Sequence, residues 1–275
     1  MLKLISAAAL TGATLFAAPA YAQDDASWTG VYVGGQIGHG FQPGDDDETI
    51  LFDTNLDGTF GETVNTSGGA NAFSPGFCGG AARGATPAAG CRDDRDGTEY
   101  GVHAGFDYDM GGFVVGVVGD YSRSRLQDSV SSFSTTPARY TMTRRLRDVF
   151  SLRARAGIAA GSALIYGTGG VARGSIRNSF TTSNTANSFT GNGNEKGWGY
   201  TFGGGVEQRI GSNFSLGLQY LYRSIDAGDY VVRAGPGTAG LTNPFRIVNP
   251  NGTDFQRSDD KFTSHGVSLT GSFRF

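Results

Sequence analysis

The sequence predicts an all-β fold, an eight-stranded antiparallel up-and-down barrel with long loops at one end. Three observations carry this. Eight segments alternate apolar with polar or small residues, their connections are alternately short and long, and every proline after Pro19 falls in a long connection.

Alternation matters because residues i and i+2 share one face of a strand. The first segment runs from Trp28 to Gly40. In the second, Glu99 to Asp109, the residues Tyr100, Val102, Ala104, Phe106 and Tyr108 share one face, opposite Glu99, Gly101, His103, Gly105 and Asp107. The third, fourth and fifth cover Phe113 to Arg125, Arg144 to Ala160 and Ala163 to Ile176. The sixth, Lys196 to Ile210, sets Trp198, Tyr200, Phe202 and Val206 against Thr201 and Glu207. The seventh, Phe214 to Asp226, and the eighth, Phe262 to Phe275, repeat the split through Leu216, Leu218 and Tyr220 and through Val267, Leu269 and Phe273. An even count suits a single-chain antiparallel barrel.

Met110 to Gly112, Gly161-Ser162 and Gly211 to Asn213 are tight, glycine-bearing turns. Phe41 to Thr98, Leu126 to Thr143, Arg177 to Glu195 and Ala227 to Lys261 are long polar loops. Proline has no N–H for a strand ladder, and Pro43, Pro75, Pro87, Pro137, Pro236, Pro244 and Pro250 all fall in those loops.

A soluble barrel or sandwich would also alternate, so the side that meets lipid needs separate evidence. The polar face is too charged for a dry core: Arg147, Arg153 and Arg155 share it in the fourth segment, with Glu99, His103, Asp107, Asp120, Glu207, Arg209 and Arg223 in others. Aromatics gather at both strand ends, as interfacial girdles do. The expected fold is therefore a transmembrane barrel with extracellular loops and both termini periplasmic. Asp107, Arg155 and Glu207 each shortly precede a turn, with Arg153 just above, which predicts a lumen charge cluster at one depth. Eight strands enclose an interior that side chains nearly fill, which favours a structural or surface-binding barrel over a small-diameter porin-like channel.

Lys3, the short apolar run Leu4 to Phe16 and the cleavage signal Ala20-Tyr21-Ala22 form an export signal over residues 1–22, leaving a barrel domain over 23–275. Loss of Lys3 takes the formal charge from −3 to −4. The absence of a sustained basic run excludes nucleic acid as a natural partner. Cys78 and Cys91 are the only cysteines, and in an exported chain they are expected to pair across a loop; a metal site would need ligands that do not lie nearby.

Several segments together resemble the alphaproteobacterial 25/31-kDa outer-membrane protein family, small barrels related in architecture to the transmembrane part of outer membrane protein A. They are Trp28 to Gly35, Tyr166 to Ala172, Gly197 to Glu207, Asn213 to Leu216, Tyr220 to Tyr222 and the terminal Phe273-Arg274-Phe275. The resemblance implies an abundant outer-membrane protein in contact with membrane lipid and lipopolysaccharide, with a role in envelope integrity and a host-facing surface. Haemin binding at the loops, reported for some members, is part of that implication, as is Phe275 acting as the signal read by the barrel assembly machinery. The long first loop with Cys78 and Cys91 departs from the family pattern.

No catalytic constellation, cofactor motif or metal site emerges. The His-x-Ser pair that marks outer-membrane lipid deacylases is absent, since Phe41, Gly105 and Val267 follow His39, His103 and His265 at that spacing. Asp53, Asn55 and Asp57 begin like a calcium loop, but Val64 stands where a bidentate Glu is required, so a solvated acidic loop with Asp45 to Glu48 is expected instead. Gly34-Gly35 and Gly203 to Gly205 lie within strands and precede no helix, which points to close packing and not to a phosphate loop.

Overall fold

The structure is a computed structural model that describes residues 27–44 and 47–275. The export signal, with its cleavage site before Gln23, and Asp45-Asp46 lie outside the described residues.

Eight strands close into one antiparallel barrel: β1 (Gly30–Phe41), β2 (Gly97–Asp109), β3 (Phe113–Arg123), β4 (Ala138–Ala160), β5 (Ala163–Thr182), β6 (Glu195–Ile210), β7 (Phe214–Asp226) and β8 (Lys261–Arg274). Each pairs with its neighbours in sequence, and β1 closes the ring on β8 with Val33 opposite Phe273 and Ile37 opposite Leu269. The short turns fall at Met110 to Gly112, Gly161-Ser162 and Gly211 to Asn213. Ile37, Val102, Leu152, Ile158, Ile165 and Leu269 point outward and are largely exposed, whereas the alternate residues are buried and mostly polar.

The lumen is narrow enough that glycine makes room for its partners. A Cβ at Gly116 would run into the Asp107 carboxylate, and one at Gly105 would collide with the Tyr32 ring. Much of the glycine content is thus the complement of bulky inward-facing residues.

The long loops depart from the expectation of simple polar connections. β4 has 23 residues and β5 has 20, so this hairpin rises well beyond a bilayer-spanning strand, which needs only about 9–11 residues. Gln127–Ser134 folds back on the start of β4, and Gly76–Gly79 pairs with it in turn. A separate four-stranded sheet orders Ser188–Gly191, Val232–Gly235, Thr253–Arg257 and Ile50–Asp53. Together these segments form a β-rich cap over the loop end, with its own apolar core.

One register shift corrects the face assignment of β4. Ser175 pairs with Asp148 but Ile176 pairs with Leu146, so Arg147 is an extra residue in the ladder. Below the bulge Arg153 and Arg155 point inward. Beyond it Arg145 and Arg147 are exposed outside while Arg144 is buried. Arg147 therefore does not share the lumen face with Arg153 and Arg155.

Candidate functional site

The lumen is filled in layers. At the turn end Trp28 is 1% exposed and packs with Val114, Leu164 and Tyr166. Its indole N–H donates to the Gly161 carbonyl at 3.3 Å, and the guanidinium groups of Arg274 and Arg209 lie over its ring at 5.3 and 5.6 Å.

Above this plug, Arg155 is the centre of an ionic layer. It pairs with Asp107 at 2.7 Å and Glu207 at 3.1 Å, and stacks over Tyr32 and Tyr166 at 5.1 and 4.6 Å. Arg274 shares Asp107 at 2.8 Å, and the Ser215 hydroxyl donates to Glu207 at 2.6 Å. Of the four residues predicted to cluster, Asp107, Arg155 and Glu207 form one network. Arg153 instead pairs with Asp120 at 2.7 Å, one level further from the turns, and the Ser151 hydroxyl donates to the same carboxylate at 2.5 Å. Higher again, Arg223 pairs with Glu99 at 2.9 Å. His103 shares a hydrogen bond with Ser272 at 2.8 Å and has no carboxylate among its hydrogen-bond partners. The space bounded by Tyr32, His103, Arg155 and Gln219 is about 20 Å³, room for about one water.

An apolar septum follows at the loop end, built from Leu126, Leu146, Val149, Ile176, Ile225 and Phe262, each at most 1% exposed. Beyond it lies a second ionic layer that the sequence did not reveal. Asp128 pairs with Arg144 at 2.8 Å and Arg257 at 2.5 Å, while Glu48 pairs with Arg257 and lies 3.6 Å from Arg144. Burial works to raise the Asp128 carboxyl, but the guanidinium groups of Arg257 and Arg144 prevail and hold it below the usual carboxylate range. Glu48 goes the other way, pushed up by burial against the pull of Arg257. Asp94 beside them is pushed up to about 7, by burial first and then by the charge of Asp128.

Above this layer the cap core stacks aromatics: Phe52 against Phe73 at 4.4 Å, Phe73 against Tyr140 at 5.4 Å and Phe245 against Phe255 at 5.3 Å. The available signal was compositional, since Phe52, Phe73, Phe133, Phe245 and Phe255 are too many large apolar residues for solvated loops. Cys78 and Cys91 are joined in a disulfide with a Cα–Cα distance of 6.5 Å, tying the Gly76–Gly79 strand, which pairs with Gln127–Ser134, to the small hairpin of Ala81–Ala82 and Cys91–Arg92. In the acidic turn, Asp53 accepts the backbone N–H of Leu56 at 2.6 Å and of Gly58 at 2.8 Å, so its oxygens organise the loop. No group of three or more His, Cys, Asp or Glu side chains suited to a metal ion occurs among the described residues. Phe275 ends the chain exposed, its N–H bonded to the Val31 carbonyl at 3.0 Å.

A closed barrel with an apolar exterior and a charged, filled interior defines an integral outer-membrane barrel protein. The chain belongs to the outer membrane protein beta-barrel domain family, whose model it matches over residues 8–273. It is 27% identical over 211 residues to the 31 kDa outer-membrane immunogenic protein of Brucella melitensis biotype 1, covering 74% of this chain and 73% of that one. It is 30% identical over 139 residues to the 22 kDa outer membrane protein of Rhizobium leguminosarum bv. viciae, covering 50% of this chain and 58% of that one. Among solved structures, the outer membrane protein OprG from Pseudomonas aeruginosa matches with a TM-score of 0.44 and 13% identity, covering 90% of this chain and 97% of that one. The protein is accordingly placed in the outer membrane, in contact with its lipids.

Proposed function

We propose that this protein is a sealed, non-catalytic barrel that reinforces the envelope and presents its loop end outward for surface interactions, with both termini on the periplasmic side. The observation that carries the proposal is the apolar septum of Leu126, Leu146, Ile176 and Phe262, which lies across the lumen between two ion-paired layers. A solute would have to cross the plug at Trp28, then the Arg155 layer, then this septum. The cap supports a display role, since its loops are held by a folded core. The immunogenic designation of the Brucella relative agrees with a surface-facing loop end.

Planar-bilayer recording tests the proposal against the small-channel alternative. The unmodified protein is expected to give no conductance or only small, rare openings. Sustained conductance of porin size would overturn the sealed-barrel reading.

A further inference from the structure

The lipid-facing wall carries, at its loop end, a ladder of arginines that the sealed lumen does not use. On β3 the outward side chains proceed from Val117 through Tyr121 to Arg123, and Arg125 follows just past the strand. On β4, Phe150 stands opposite Tyr121, and Asp148, Arg147 and Arg145 follow at higher levels, Arg147 turned outward by the bulge. Arg95 reaches the same level through its bridge to Gln127, which also pairs with Arg145. The five arginines are exposed, and with Thr98, Tyr100 and Gln127 they line an open groove of about 560 Å³.

The groove is organised and carries excess positive charge. The Tyr121 hydroxyl donates to Asp148 at 2.6 Å, Arg123 Nε donates to the same oxygen at 3.0 Å, and Arg145 Nε donates to Gln127 at 2.9 Å. Five arginines face two carboxylates, Asp96 and Asp148, in a chain whose formal charge is −3. Arg95, Arg125, Arg145 and Arg147 make no ion pair among the described residues.

We propose that this groove binds the phosphate groups of a saccharide-bearing lipid of the lipopolysaccharide type in the leaflet at the loop end. Three properties select that ligand. Arginine forks match phosphate oxygens two at a time. Thr98, Tyr100 and Gln127 add neutral hydrogen-bonding groups suited to sugar hydroxyls. The groove also continues directly from the apolar wall of Val117 and Leu152 through the girdle residues Tyr100 and Tyr121, so one molecule can lay its acyl chains on the wall and its phosphates among the guanidinium groups. From Tyr121 to Arg125 is roughly 13 Å along the strand, enough to pass from the hydrocarbon edge through the headgroups.

The inference rests on the outward orientation of the loops proposed above, and the two can fail separately. Protease clipping of the loops on intact cells reads orientation. Binding to the purified protein in non-ionic detergent does not depend on it. Titration with lipopolysaccharide, followed by native mass spectrometry, is expected to show one saturable ligand. Enzymatic dephosphorylation of the lipid should weaken binding about tenfold or more, as should the variant R125Q/R145Q/R147Q. These positions are exposed, and a retained heat-dependent gel shift will show that the variant is folded. The dephosphorylated arm uses the unmodified protein and decides the question even if the variant does not fold. Equal affinity for phosphorylated and dephosphorylated lipid would overturn the proposal. Equal binding of phosphatidylglycerol would overturn the assignment to a saccharide-phosphate lipid, and millimolar inorganic phosphate displacing the lipid completely would reduce the site to a free-phosphate site.

Discussion

The barrel and its cap are built inside out with respect to each other. In the barrel, Ile37, Val102, Ile158 and Leu269 face outward and Asp107, Asp120, Arg153 and Arg155 face inward. In the cap, Phe52, Phe73, Phe245 and Phe255 are buried together. The difference follows from the solvent each half meets. Lipid chains accept an apolar exterior and demand that every backbone polar group be paired, whereas water around the cap drives apolar side chains into a core. At the junction the chain must switch from one rule to the other, and there it stacks the septum and the Glu48, Asp128, Arg144 and Arg257 layer.

The most damaging way to probe the barrel half is to unbalance its ionic layer. Arg155→Ala leaves Glu207 without its guanidinium partner and Asp107 with only Arg274, a change expected to cost about 3–5 kcal/mol where the pair is fully dehydrated. Glu207→Ala should cost less, since Arg155 keeps Asp107. The double variant should be less harmful than the sum of the singles. Urea unfolding of the detergent-folded protein, followed by gel mobility, measures all three; additivity within about 0.5 kcal/mol would show that the layer is not a coupled unit.

For the cap the equivalent lever is its aromatic core. Phe255→Ala removes a ring in contact with Phe52, Tyr140 and Phe245 and should cost about 3–5 kcal/mol of local stability. The effect should be confined to the loops: faster proteolysis there, with the barrel's heat-dependent gel shift unchanged. Leu269→Ala on the lipid face should do much less, because mobile lipid chains fill the space that a folded core cannot. If the two substitutions loosened the same part of the molecule to the same degree, the contrast between the halves would fail.

The two halves also differ in how far the sequence reveals them. Barrel strands declare themselves because lipid outside and charge inside impose a two-residue period, which is why Tyr100 to Tyr108 and Trp198 to Val206 can be assigned directly. The closeness of Asp107, Arg155 and Glu207 follows by counting from the turns. Arg153 pairs elsewhere because Asp120 lies nearer on the adjacent strand, and Arg147 turns outward because a bulge is invisible to a strict two-residue count. The cap has no comparable period. Its core gathers residues from all four long loops, and Glu48 meets Arg257 across 209 positions of sequence, so nothing local marks either as a partner.

The smallest expected effect lies at the junction and is set by pH. Asp94 accepts the Ser129 N–H at 2.8 Å and lies near Asp128, Glu48 and Arg257, with its pKa pushed up to about 7 by burial and by Asp128. An unfolded aspartate titrates near 3.9. Between these values the folded protein binds a proton that the unfolded chain has released, so the contribution of this group is favourable at low pH and is lost as pH rises through about 7. Asp128 has the opposite sign: its lowered pKa gives stability that is present above the ordinary aspartate range and lost only in stronger acid. The junction should therefore be tightest near about pH 4 and loosen towards about pH 7. Amide exchange at Ser129, corrected for the intrinsic rate, should report this as falling protection over that interval, while amides in β7 and β8 stay unchanged. Asp94→Asn keeps an oxygen for the Ser129 N–H but cannot titrate, and should flatten the profile. The same slope in the substituted protein would assign the pH dependence to Glu48, whose carboxyl is also raised by burial, and remove Asp94 from the account.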